Sequence, residues 1–84
     1  MKTKHLSFEI IEEKPKTKVF EIISNFDGNS LGTIYWYPKW RQYVFQPIIL
    51  EENENTIWSN DCLRELLSFL DKLKEERKDV IKYD

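Results

Sequence analysis

The strongest constraint on the fold is an apolar stripe near the C-terminus. Cys62, Leu63, Leu66, Leu67, Phe69, Leu70 and Leu73 recur at helical spacing, with Asp71, Lys74 and Glu75 on the opposite side. Ser59 stands where an N-cap hydroxyl can accept from a first-turn N–H, and Asp61 places a carboxylate near the positive helix end. The pattern predicts a helix over 60–78. A stripe of this width has to be buried against another layer. Leu66 and Leu70 are the positions where an introduced charge is expected to do most damage.

The residues before it supply that layer. Four segments have strand character: 6–11, 19–25, 31–37 and 41–46. Phe8 and Ile10 alternate with Ser7 and Glu9, and Phe20 and Ile22 alternate with Val19, Glu21 and Ile23. The Lys-rich stretch 12–18 with Pro15 separates the first two. Asp27-Gly28 is a hairpin signal, because glycine takes positive φ without steric cost. Tyr37-Pro38-Lys39-Trp40 forms a tight connection, and Pro47 marks the end of the fourth strand or an edge position. Residues 51–55 read as a polar loop and 56–58 as a short extended lead-in, with Trp58 packing as a staple beneath the helix start. Val80, Ile81 and Tyr83 either dock as a tail or fray. The expected fold is α+β: a four-stranded antiparallel meander with one C-terminal helix packed on one face, ββββα, in a single small domain spanning 1–84.

Composition limits the function. An 84-residue chain is expected to bury only ~60% of its unfolded surface, so a few large side chains must carry the core. Twelve aromatic residues are available for this. The net charge of −2 argues against a dedicated nucleic-acid module, which needs cations to neutralise phosphate. The charge is unevenly spread. Residues 1–18 hold five Lys against three Glu, residues 19–50 are balanced, and residues 51–84 hold ten acids against six bases.

Catalytic and metal chemistry find little to work with. His5 has no partner in its own segment and reads as solvated. One His and one distant Cys do not make a metal site. The Glu51, Glu52 and Glu54 cluster lacks the alternating ligands and turn glycine of a calcium loop. No serine has a His partner in a plausible place, and no Gly-rich loop is present to hold phosphate. Cys62 has no disulfide partner and reads as a small buried hydrophobe. With no signal-peptide pattern and no long apolar run, the expectation is a cytoplasmic, non-enzymatic protein without cofactor, metal or membrane association.

The unusual stretch is 35–45, which holds six of the twelve aromatics: Tyr35, Trp36, Tyr37, Trp40, Tyr43 and Phe45. Strand alternation cannot send all of them to one face. If Ile34, Trp36 and Val44 meet the helix, then Tyr35, Tyr37, Tyr43 and Phe45 lie opposite; the reverse register leaves Ile34 and Trp36 outside. Either register leaves apolar surface uncovered by one helix, and large exposed patches mark interaction surfaces. A purely structural role, with aromatic pairs stabilising the sheet, is the competing reading. The candidate binding residues are Tyr35, Tyr37, Lys39, Trp40, Arg41 and Tyr43. Trp40 is the singular one, placed in a turn between two cations. The expected ligand is a protein partner or a second copy of the chain. The alternative is single-stranded nucleic acid, with Tyr35, Trp40 and Tyr43 stacking on bases and Lys39, Arg41 and the N-terminal lysines on phosphates.

The run from Leu31 to Pro47, followed by a helix opening Ser59-Asn60-Asp61-Cys62-Leu63, resembles a family of small uncharacterised proteins of bacterial phages and prophages. In that pattern a strand leads into a Trp-Arg or Trp-Lys turn, and an aromatic strand ending in Pro comes before the helix. The likeness covers residues 31–73. It implies a mobile-element origin and assigns no catalytic or binding role.

Overall fold

The computed structural model describes residues 1–48 and 58–83, with side chains through residue 76. The strands are β1 (Leu6–Glu13), β2 (Lys18–Ser24), β3 (Ser30–Tyr37) and β4 (Gln42–Pro47), followed by helix α1 (Asn60–Tyr83). The sheet order is β1-β2-β3-β4 with every neighbour antiparallel. The α+β meander with one C-terminal helix is therefore the fold. The loop expected at 51–55, residues 56 and 57 of the lead-in, and the side chains of Val80, Ile81 and Tyr83 lie outside the described residues.

Cross-strand partners share a face. Phe8 pairs with Ile22 and Ile22 with Gly32; Ile10 pairs with Phe20, Phe20 with Ile34 and Ile34 with Phe45; Trp36 pairs with Tyr43. These residues form the face that receives α1. Leu6, Phe8, Phe20, Ile22 and Ile34 are buried there beneath Leu66, Phe69 and Leu73, with Tyr43, Phe45, Trp58, Cys62 and Leu70 packed around them. Phe69 is the centre of the contact. Its ring lies flat on Phe8, with centroids 4.0 Å apart and planes at 8°, and meets Phe20 edge-on at 5.0 Å. Such ring pairs add about 0.5–1.5 kcal/mol to the burial itself.

Two irregularities adjust the register. Ile11 is the extra residue between the Ile10–Phe20 and Glu12–Val19 pairs. Leu31 is the extra residue between the Ile22–Gly32 and Ile23–Ser30 pairs, and it packs against the core. Gly32 follows at φ +153°, where a Cβ would stand 2.4 Å from the Gln46 carbonyl oxygen and 2.8 Å from the Phe45 ring. No side chain fits there, so β4 can close directly over β3.

The helix start follows the sequence reading. The Ser59 hydroxyl accepts from the Cys62 N–H at 3.1 Å, and the Ser59 carbonyl from the Leu63 N–H at 3.0 Å. Trp58 sits edge-on against Phe45, at 5.2 Å, and so packs onto β4. The helix runs on to Tyr83, past the end expected at residue 78. The apolar stripe is wider than the contact it makes. Leu63 and Leu67 remain 50% and 59% exposed, because at about 100° per residue they turn away from the line through Cys62, Leu66, Phe69 and Leu73.

His5 corrects the expectation of a solvated side chain. Its backbone N–H donates to Glu65 Oε1 at 2.8 Å, and its ring Nδ1 lies 2.5 Å from Glu65 Oε2. Asn25 ties down the same corner. It takes the Ser7 hydroxyl on Oδ1 and donates from Nδ2 to the Thr3 carbonyl at 2.9 Å. Burial pushes the Glu65 carboxyl up, but hydrogen bonding to Thr3 and to both His5 groups, with the His5 ring charge, outweighs this and holds it at about 2 against an ordinary 4.5. A depressed carboxyl binds its proton less tightly when folded than when unfolded. Its stabilisation is therefore complete above pH 4.5 and lost as the pH falls towards 2. Glu65→Gln should lower stability at pH 7 and flatten the decline between pH 4.5 and 2, measured by urea unfolding at stepped pH. Parallel acid limbs for the two proteins would show that the clamp contributes nothing.

Candidate protein-binding face

Alternation that fills the helix face fixes the composition of the other. The open face carries Glu9 opposite Glu21, Glu21 opposite Thr33, Thr33 opposite Gln46, Tyr35 opposite Val44, and Tyr37 opposite Gln42. Val19, Ile23, Tyr35, Tyr37 and Val44 are half-buried on this face, with α1 on the far side of the sheet. The two registers left open by the sequence are thus resolved in a mixed way. Ile34 and Trp36 do lie on the helix face, but beside Tyr43 and Phe45, and Val44 lies opposite with Tyr35 and Tyr37.

Tyr43 is consequently separated from the other candidate residues. Its ring meets Phe20 at 6.3 Å and Trp36 at 5.5 Å, both edge-on, and its hydroxyl accepts from the Lys18 N–H at 3.1 Å. That ties β4 to the start of β2, so Tyr43 serves the core. The remaining five candidates come together at one end of the open face.

The loop between β3 and β4 is Pro38-Lys39-Trp40-Arg41. Its Trp40 and Arg41 N–H groups both donate to the Tyr37 carbonyl, at 3.2 and 2.9 Å. Arg41 has φ 53°, so it belongs to the turn, where the sequence pattern had started the fourth strand. Trp40 is 67% exposed and rests edge-on against Tyr37 at 5.0 Å. Lys39 and Arg41 flank it, exposed and without an ion pair among the described residues. The face is polarised, with cations at the hairpin tip and the Glu9–Glu21 pair on β1 and β2.

The N-terminal lysines divide. Leu6 pairs with Ser24, which puts Lys2 and Lys4 at the end of the sheet away from the 38–41 loop, whereas Lys14 and Lys16 share the loop's end. There a cleft of about 200 Å³ lies between the 14–17 connection and α1, lined by Lys14, Lys16, Lys18, Glu13, Glu76 and Tyr43. Its charges largely offset one another, and Lys18 sits 3.8 Å from Glu13. Phe26, 97% exposed in the β2–β3 turn, is an exposed aromatic that the sequence pattern passes over as a turn residue. Among the described residues, no group of three or more His, Cys, Asp or Glu side chains is placed to hold a metal ion. No described helix is long and apolar enough to cross a membrane.

No family model matches the chain, and no solved structure matches it. A curated protein, the "Uncharacterized 9.3 kDa protein" of Acholeplasma phage L2, is 33% identical to it over 78 residues. The match covers 90% of this chain and 92% of that one.

The two faces should respond differently to truncation. Tyr43→Ala removes core contacts and a hydrogen bond, and is expected to cost at least about 2 kcal/mol. Tyr35→Ala, on the open face, should cost no more than about 1 kcal/mol. Denaturant unfolding of the two variants reads the difference. Equal losses would mean that Tyr35 is as much a core residue as Tyr43.

Proposed function

The chain belongs to the family of the 9.3 kDa protein of Acholeplasma phage L2, and we propose that it is a non-enzymatic protein-interaction module of a phage or related mobile element, acting in the cytoplasm. The partner sits on the open sheet face, at the end formed by Tyr35, Tyr37, Val44 and Trp40. One observation carries the reading: an exposed Trp40 leans on Tyr37 between two cations that have no ion pair among the described residues, contiguous with apolar side chains on a face that α1 does not cover. Tyrosine and tryptophan are enriched at interfaces because they bury large area with few rotatable bonds and keep a polar handle. Lys39 and Arg41 suit a partner with an apolar centre and an acidic rim, which would also speed association.

Single-stranded nucleic acid fits the same end less well. Tyr43 is committed to the core, Lys2 and Lys4 are at the far end of the sheet, and the net charge is −2. Affinity capture from a bacterial lysate, with and without nuclease, separates the two. The expected result is a stoichiometric protein that survives nuclease and is lost with Trp40→Ala, while circular dichroism shows the variant folded. Recovery that collapses on nuclease treatment would replace the protein-binding reading with the nucleic-acid one. Capture unaffected by Trp40→Ala would remove this face from the function.

A further inference from the structure

The two edges of the sheet are treated differently. The β1 edge is blocked. Residues 1–3 fold back along it, with the Phe8 N–H donating to the Met1 carbonyl at 2.8 Å and Lys2 bridged to Ser7. Beyond that cover come the Ile11 bulge and the charges of Glu9, Glu12 and Glu13. Short covers, bulges and charges are the means by which an edge is kept from pairing.

The β4 edge has none of these between Gln42 and Gln46. Gln42-Tyr43-Val44-Phe45-Gln46 is an uncharged segment of high strand propensity. The Ile48 N–H donates to the Leu31 carbonyl at 3.1 Å, so alternation turns the backbone groups of residues 42, 44 and 46 towards β3 and those of Tyr43 and Phe45 outward. Pro47 agrees with this phase, since its outward position needs no N–H. Among the described residues no backbone group bonds to this edge.

The segment also reads alike in both directions about Val44. We propose that β4 pairs antiparallel with β4 of a second copy about a twofold axis at Val44, giving a continuous eight-stranded sheet. This register sets Tyr43 opposite Phe45 of the second copy, and all four outward N–H groups find a carbonyl. It sets Gln42 opposite Gln46 of the second copy, where two side-chain amides can bond, and Val44 opposite itself. The contact is isologous and closes at two. Both helices then stand on the same side of the sheet. Glu65 faces His5 on the β1 flank of α1, and Leu63 and Leu67 lie roughly opposite it around the helix, leaning towards the second copy. The pairing uses a strand edge, and does not rest on the protein-binding reading of the open face.

Gln42 and Gln46 are both exposed, so charges placed there leave the single chain intact. Sedimentation equilibrium of the full chain should show a dimer. Gln42→Lys with Gln46→Lys puts lysine opposite lysine twice, and should raise the dimer dissociation constant roughly ten- to thirty-fold. Gln42→Glu with Gln46→Lys puts glutamate opposite lysine twice in this register alone, and should dimerise at least as tightly as the native chain. Circular dichroism checks that both variants fold. A native chain that stays monomeric at every concentration, or that forms open-ended polymers, would overturn the proposal. So would a Glu/Lys variant weakened as much as the Lys/Lys variant.

Discussion

Phe69 determines how this chain uses its sheet. One ring on the helix lies flat on Phe8 of β1 and stands against Phe20 of β2, and the buried aliphatic residues fill in around that contact. A domain this small has few such contacts, so among the described residues the buried core lies on the face that receives Phe69. The opposite face keeps Tyr35, Tyr37 and Val44 in half-exposed positions. The candidate binding face is thus a consequence of core geometry, because a single helix cannot cover both sides of a four-stranded sheet.

Much of this was legible in the amino-acid order. The helical spacing from Cys62 to Leu73, the Ser59 cap and four alternating segments are local patterns, and each appears as an element of the structure. Register was not legible. Tyr43, Val44 and Phe45 are all large and apolar, so strand period alone does not say which of them faces the helix. The choice is made by distant contacts: Tyr43 reaching the Lys18 N–H and Phe45 meeting Trp58. The unpaired residues at Ile11 and Leu31 shift the count again. His5 and Glu65 are sixty positions apart, so nothing local announces their pairing.

The candidate site divides in the same way. Lys39 and Trp40 stand in a short turn that the sequence pattern marks. Arg41, which the pattern gives to the strand, joins that turn through its positive φ and the two hydrogen bonds to the Tyr37 carbonyl, which present it at the end of the open face. Tyr43 was misplaced because its chemistry suits an interface as well as a core. The kinship with a phage protein names a relative, and geometry supplies the surfaces: a face with aromatic residues and cations at one end, and a β4 edge to which no backbone group bonds among the described residues.

Everything else in the structure depends on the helix covering the Phe8–Phe20–Ile34 face and lying on the far side of the sheet from Tyr35, Tyr37 and Val44. Nuclear Overhauser contacts from the Phe69 ring, recorded with and without a soluble paramagnetic agent, test it most directly. The expected result is strong contact with the Phe8 and Phe20 ring protons, which the agent leaves sharp, while it broadens Tyr35, Tyr37 and Val44. Contact from Phe69 to Tyr35 or Val44, with Phe8 and Phe20 broadened, would place the helix on the other face and contradict the fold and the binding face together.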